Sequence, residues 1–222
     1  MTSSARELLK WIAVLLMTGD HAVKVFAGGY VPVISELGRI AFPVFAIVMA
    51  YNLAQPNADY AKSMRRLAGW GLIAQPAHAL AFGFLLPLNV LCTFALAAAC
   101  CWCTQNRRWW LLLAIAGPLP LLVDYEWAGI ALVLTWWWFF KAPEVVRGNG
   151  MLWVAMRRFW LAVAAFVPLC LVNGNVWAVA ALPLVFWLSD PFRQLPAVSR
   201  SGRAFYGYYV GHLAIIAVIA AN

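Results

Sequence analysis

Charge is what this sequence has least of. Only 11% of its 222 residues are charged, against roughly 25% in an ordinary soluble domain. At 65% hydrophobic residues and 13 tryptophans, one core cannot hide the apolar surface, so lipid has to be part of the solvent. Acids are scarcer than bases, and the net charge is +8. The basic residues are spread among short loops, not gathered on one face, which argues against a nucleic-acid partner and for a topogenic role. The five cysteines, Cys92, Cys100, Cys101, Cys103 and Cys170, lack partnering histidines and paired CxxC spacing. No metal site is expected of them; small apolar filler is the first reading and lipidation at a helix end the second. There is no repeat of 20–50 residues, no low-complexity tract and no linker long enough to separate domains, so residues 1–222 read as one integral-membrane domain. The start, MTSSARELLKWIAVLL, has the look of a signal peptide. No small-residue cleavage site follows and Asp20 interrupts the run, so it reads as a retained first span.

What the chain has in abundance is apolar runs. Nine can be drawn, at 8–26, 37–54, 67–86, 88–103, 109–123, 127–140, 159–172, 176–188 and 204–221. The expected fold is an all-α polytopic membrane bundle of about nine transmembrane helices with a cytoplasmic N-terminus. Several runs are shorter than the ~20 residues a perpendicular span needs, which predicts local thinning or helix ends buried in protein. With the N-terminus inside and the runs alternating, fourteen of the 16 Lys and Arg residues fall on the inner side, a strong positive-inside bias. Only Lys24 and Arg39 fall outside. Prolines 43, 76, 118, 120, 168 and 183 lie within apolar runs, where they free backbone carbonyls and kink helices.

The first run contains TGDHAVKVF at 18–26, which places Asp20, His21 and Lys24 within five residues at membrane depth. Lys24 is i+4 from Asp20 and i+3 from His21, so the three can share a helix face. Arg39, after a short connection, returns to nearly their depth if the two spans form a hairpin. His78 and His212 are also intramembrane, and imidazole is expensive in hydrocarbon. An Asp–Lys or Asp–Arg pair can simply lock two helices, and for His78 a structural role is the preferred reading. For His21 and His212, chemistry is preferred. An acid beside an imidazole can fix its tautomer and raise its basicity, and an arginine can steady an oxyanion. The same groups fit a proton relay in a transporter.

Several motifs together resemble the TraX family of conjugative pilus proteins. They are the DH pair, GRIAFPVFAIVMAYNL at 38–53, RRLAGWGLIAQP at 65–76, NVLCTFAL at 89–96, DYEWAG at 124–129 and YYVGHL at 208–213. The order holds over nearly the whole chain, and GR-x-AFP-x-FA followed by an asparagine is the most specific piece. The resemblance implies an enzyme of the bacterial inner membrane, an acyl-CoA-dependent acetyltransferase that acetylates the N-terminal amine of a processed pilin subunit. It is similar in pattern to the wider group of integral-membrane acyltransferases of the acyltransferase-3 type. On that reading His21 is the general base, oriented by Asp20, Arg39 stabilises the oxyanion, and His212 is a second proton carrier or substrate hydrogen-bond donor. Lys24, Asn52, Tyr208 and Tyr209 would contact substrate; the family's aromatic pair is usually Phe-Tyr, and this chain has Tyr-Tyr. Lys62, Arg65 and Arg66 would hold the phosphates of acetyl-CoA, unless their charge is only topogenic. Alternatives are an O-acyltransferase for a periplasmic sugar or lipid, a proton-coupled transporter, and a non-enzymatic partner in pilin assembly. Oligomeric state is not legible.

Overall fold

A computed structural model describes residues 1–141, 149–190, 195–202 and 204–220. Among these residues the chain is helical, with one isolated strand-like pairing between Leu88 and Val123. The order is α1 (Ser3–Phe26), α2 (Ile34–Gly38), α3 (Ala41–Ala54), α4 (Tyr60–Phe82), α5 (Val90–Gln105), α6 (Trp109–Ala116), α7 (Glu126–Phe140), α8 (Asn149–Ala164), α9 (Phe166–Asn173), α10 (Ala181–Ser189) and α11 (Ala204–Ala220). Short 3-10 turns at Leu119–Leu122 and Trp177–Ala180 extend α6 and precede α10.

Each of the nine apolar runs forms helix, and four do so in two pieces. Two continuous stretches, Ile34–Ala54 and Leu152–Asn173, are long and apolar enough to cross a membrane; Val90–Gln105, Trp109–Leu122, Trp177–Ser189 and Ala204–Ala220 are shorter. Proline explains several breaks, because a proline cannot bond the carbonyl four residues back. Pro43 would bond Arg39, Pro168 would bond Ala164 and Pro183 would bond Val179. In each case a new helix begins within three residues before that proline, at Ala41, Phe166 and Ala181, where its missing N–H costs nothing. Pro76 behaves otherwise and lies inside unbroken α4.

Helix starts are capped by short polar side chains. Thr2 Oγ1 accepts from Ala5 N (3.1 Å) and Asp59 Oδ1 from Lys62 N (2.8 Å). Asn89 caps α5 from full burial: its Oδ1 accepts from Leu91 N, and its Nδ2 donates to Gly71 O and Gln75 Oε1. This ties α5 to α4, with every polar atom of the knot answered.

The core sits around α3, ten of whose 14 residues are buried. It lies between α1 and α7, and α4 packs between α5 and α11. Apolar side chains on the perimeter are left open, among them Trp110 (86% exposed), Trp153 (78%) and Leu171 (77%). A surface of this kind needs an apolar solvent. At the α1–α2 crossing a Cβ on Gly38 would lie 2.3 Å from Asp20 Cβ and 2.8 Å from its Cγ. The glycine of the GR motif is therefore the seat on which Asp20 rests.

Candidate functional site

The C-terminal third of α1 faces a cavity of about 340 Å³, closed by Gly38 and Arg39, by His78 and Phe82 of α4, by Asp124 and Tyr125 and by Tyr209 of α11. The structure thus brings together Asp20, His21, Lys24, Arg39 and Tyr209 from the sequence-predicted set. His78, read from sequence as structural, also lines the cavity. Of eight buried polar side-chain atoms without a partner among the described residues, four line this cavity: Asp20 Oδ1, Arg39 Nε, His78 Nδ1 and Asn173 Nδ2. Buried polar groups are nearly always satisfied, so such a concentration marks where a ligand or water belongs.

The contacts of Asp20 differ from those expected. Its Oδ2 pairs with Lys24 Nζ at 2.6 Å, and among the described residues it makes no hydrogen bond to His21 and no ion pair with Arg39. The reason is helical geometry: adjacent residues diverge by about 100°, whereas i and i+4 nearly eclipse. Arg39 instead shares the cavity wall with Tyr125. Tyr125 is held there by a turn in which Tyr125 and Glu126 both take left-handed backbone (φ 60° and 45°), a conformation costly for side-chain-bearing residues. Its ring stacks on Phe42 at 3.9 Å. Asp124 lies in the same turn, outside the apolar runs. Burial pushes its carboxyl up to about 6, against the pull of Lys24.

The orientation of His21 comes from α11. His21 Nδ1 lies 2.9 Å from His212 Nε2, and His212 Nδ1 lies 3.0 Å from the Tyr208 carbonyl oxygen. A carbonyl only accepts, so His212 Nδ1 carries a proton and donates it to Tyr208. In a neutral His212 the Nε2 is then an acceptor, and the proton between the rings belongs to His21 Nδ1. That leaves the lone pair of His21 on Nε2, the atom a general base needs. Tyr208 does not line the cavity. Its hydroxyl meets Thr18 Oγ1 at 2.9 Å, and since Thr18 donates to Val14 O, Tyr208 donates to Thr18. Its role is to fasten α11 to α1.

A second cavity of about 360 Å³ opens around the N-terminal half of α1, with Arg6, Lys10, Arg66, Arg200, Tyr206 and Asn52 in its lining. Asn52 is therefore away from His21; its Oδ1 accepts from Arg6 Nη1 at 2.6 Å. Of the three basic residues expected to hold a donor, Arg66 lines this cavity while Lys62 and Arg65 are exposed outside it. The two cavities share Met17, Phe45, Val90 and Tyr209. They follow one another along α1: Arg6 and Lys10 serve the second, Met17 both, His21 and Lys24 the first. Fifteen residues from Arg6 to His21 correspond to about 22 Å of helix.

Sequence reasoning left out Asp124, Tyr125, Arg6, Arg200 and Tyr206. A signal did exist for Arg6: positions 6, 10, 14, 17, 21 and 24 recur at helical spacing, so one face of α1 carries ionisable groups at both ends. Arg200 and Tyr206 carry no local pattern.

Comparisons with known proteins converge on one family. A family model described as TraX protein matches residues 5–220. The chain is similar to Protein TraX of Escherichia coli, with 33% identity over 145 residues that cover 63% of this chain and 58% of that protein. It is also 31% identical over 134 residues to Protein TraX of Escherichia coli strain K12, covering 58% of this chain and 53% of that one. The chain thus spans little more than half the length of the curated relatives it matches. No solved structure matches.

Proposed function

This chain belongs to the TraX family, and from that premise we propose that it is a multi-pass inner-membrane acetyltransferase acting on the N-terminal amine of a processed conjugative pilin subunit. It crosses the membrane about nine times with its N-terminus in the cytoplasm, the arrangement favoured by the distribution of its basic residues. The observation that carries the reading is the presence, in one cavity, of His21 with its lone pair on Nε2 and Arg39 with an unpartnered Nε.

The neutral acceptor amine attacks the carbonyl carbon of acetyl-CoA, and as the C–N bond forms His21 Nε2 takes the proton that the nitrogen sheds. Arg39, beside Tyr125 in the cavity wall, receives the oxyanion of the tetrahedral intermediate. The C–S bond then breaks, and the departing thiolate takes the proton from His21. His212 keeps His21 in the productive tautomer, and Asp20 keeps Lys24 in place and offers Oδ1 to the incoming substrate. A general base of this kind contributes about 10²–10⁴-fold. Intact-mass measurement of pilin from cells with the wild-type chain, with His21→Ala and without the chain tests the reading. An added acetyl group only with wild type is expected, and full acetylation by an inserted His21→Ala protein refutes the assignment.

The in-line cavities favour one other reading, a proton-coupled transporter using the same histidine pair. That reading predicts pH-driven flux independent of acetyl-CoA.

A further inference from the structure

We propose that the second cavity seats the phosphate groups of an amphiphilic acyl donor, with Arg6, Arg66 and Arg200 as the phosphate-binding groups. The proposal rests on the acyl-transfer reading above and gives the donor a place and a direction.

The charge balance of this cavity is one-sided. Its one acid among the described residues, Glu7, is already answered: Oε1 takes Lys10 Nζ at 2.7 Å and Oε2 takes the Ser201 amide at 3.2 Å. Lys10 is thereby spent, with its ammonium also 4.5 Å above the Phe205 ring. Three guanidiniums remain, and none has a carboxylate partner among the described residues. Arg6 donates to Asn52 Oδ1 and Thr2 O, Arg200 donates to Ser3 Oγ at 3.4 Å, and Arg66 rests over the Tyr206 ring at 5.6 Å with its Nε buried and unpartnered. Each keeps donors free, in the fork geometry that suits phosphate. Charges that served topology alone would not require a concave seat.

Behind the arginines the wall is apolar: Val14, Val48, Met49, Leu67 and Phe94. It leads to Met17, Phe45, Val90 and Tyr209, the residues shared with the His21 cavity. A ligand with an anionic head and a long, weakly polar arm fits this gradient. The spacing of about 22 Å between Arg6 and His21 along α1 sets the reach such an arm needs. A donor whose diphosphate and thioester stand at opposite ends of one extended arm meets both requirements. An anionic phospholipid headgroup shares the phosphate chemistry and is the competing occupant.

The test uses the full chain purified in detergent and titrated with coenzyme A and with pantetheine, which lacks the phosphates. A double variant, Arg66→Gln with Arg200→Gln, leaves the Arg6–Asn52 tie intact. Coenzyme A affinity is expected to fall about ten- to a hundredfold in the variant and to weaken with salt, while pantetheine binds both proteins equally and poorly. Equal coenzyme A affinity in the two proteins overturns the proposal. So does an unchanged coenzyme A affinity accompanied by lost binding to phosphatidylglycerol vesicles, which assigns the arginines to lipid. If the variant does not fold, a photoreactive coenzyme A on the wild-type chain decides: labelling within residues 3–10, 60–70 or 200–206 supports the site, and labelling elsewhere removes it. The two readings fail separately. Arginine-dependent coenzyme A binding without pilin acetylation defeats the proposed function alone, and acetylation with arginine-independent binding defeats this one alone.

Discussion

Gly38→Ala places one methyl group where the structure has no room for it. The new Cβ would lie 2.3 Å from Asp20 Cβ, 2.8 Å from Cγ and 3.2 Å from Oδ1. Carbon atoms pack at about 3.5–4.0 Å, so α1 and α2 must separate by more than about 1 Å at this crossing. The obstructing atoms are the Cβ and Cγ of a buried side chain, with no flexible end to swing aside. Overpacking of this kind costs about 1–3 kcal/mol. The same shift carries Asp20 and its neighbour His21 away from Arg39, and a misplacement of 1 Å in a reacting constellation costs about 10²-fold in rate. The assay is a pair of measurements on purified protein: the apparent melting temperature in detergent, and the rate of pilin acetylation followed by intact mass. Gly69→Ala is the control, since its Cβ meets nothing within 4 Å and mid-helix alanine is favoured over glycine by up to about 1 kcal/mol. Gly38→Ala should lower both readouts, Gly69→Ala should raise the melting temperature, and Asp20→Gly should relieve some of the clash when combined with Gly38→Ala. A Gly38→Ala protein that melts and reacts like wild type refutes the close-packing argument.

Three further outcomes follow from the same geometry. His212→Ala, which leaves His21 Nδ1 without its acceptor, should cut acetylation about 10²–10⁴-fold, whereas Asp20→Asn should act mainly on stability; the reverse ranking in initial-rate assays would restore Asp20 as the orienting group. Lys24→Met leaves the Asp20 carboxylate buried without its cation and should cost about 2–4 kcal/mol, which Lys24→Met with Asp20→Asn should largely recover; thermal melts of the single and double variants decide it. Asp124 has a folded-state value raised to about 6 from 3.8, so its ionised form is penalised in the fold. That penalty is absent below about pH 4, grows between pH 4 and 6 and is full above. Asp124→Asn should therefore gain up to about 3 kcal/mol over wild type above pH 6 and little at pH 4. A gain that is flat or shrinks as pH rises contradicts the assignment.

Most of the helical framework was legible because apolar runs and prolines act locally. The nine runs each form helix, and the breaks at Arg39, Ala164 and Val179 sit four residues before prolines. The gathering of Asp20, His21, Lys24 and Arg39 at one cavity was legible too, since ionisable groups at membrane depth have few harmless placements, whereas His212, expected at the same cavity, reaches it only through His21. The partners of those groups were not. Whether Asp20 meets His21, Arg39 or Lys24 turns on a difference of 100° in side-chain direction, and the helix settles it for Lys24. The run of Lys62, Arg65 and Arg66 shows the same limit. Arg66 faces the second cavity, Arg65 projects about 100° around the helix from it, and Lys62 stands one turn further out. The pairing of His21 with His212 joins positions 191 apart, and no periodicity in the chain reports it.

That separation has a consequence in time. α1 leaves the ribosome long before α11; Thr18–Tyr208 and His21–His212 fasten the two helices, and Glu7–Ser201 and Ser3–Arg200 tie α1 to the segment that leads into α11. Until α11 has been synthesised and inserted, His21 has no ring to accept its Nδ1 proton, and both cavities lack the wall that Tyr209 supplies to each. A chain stalled or cut before residue 204 would still hold α1, Asp20, His21 and Arg39, yet lack the ring opposite His21 and a wall of each cavity. Arrival of α11 is itself the step that completes both cavities.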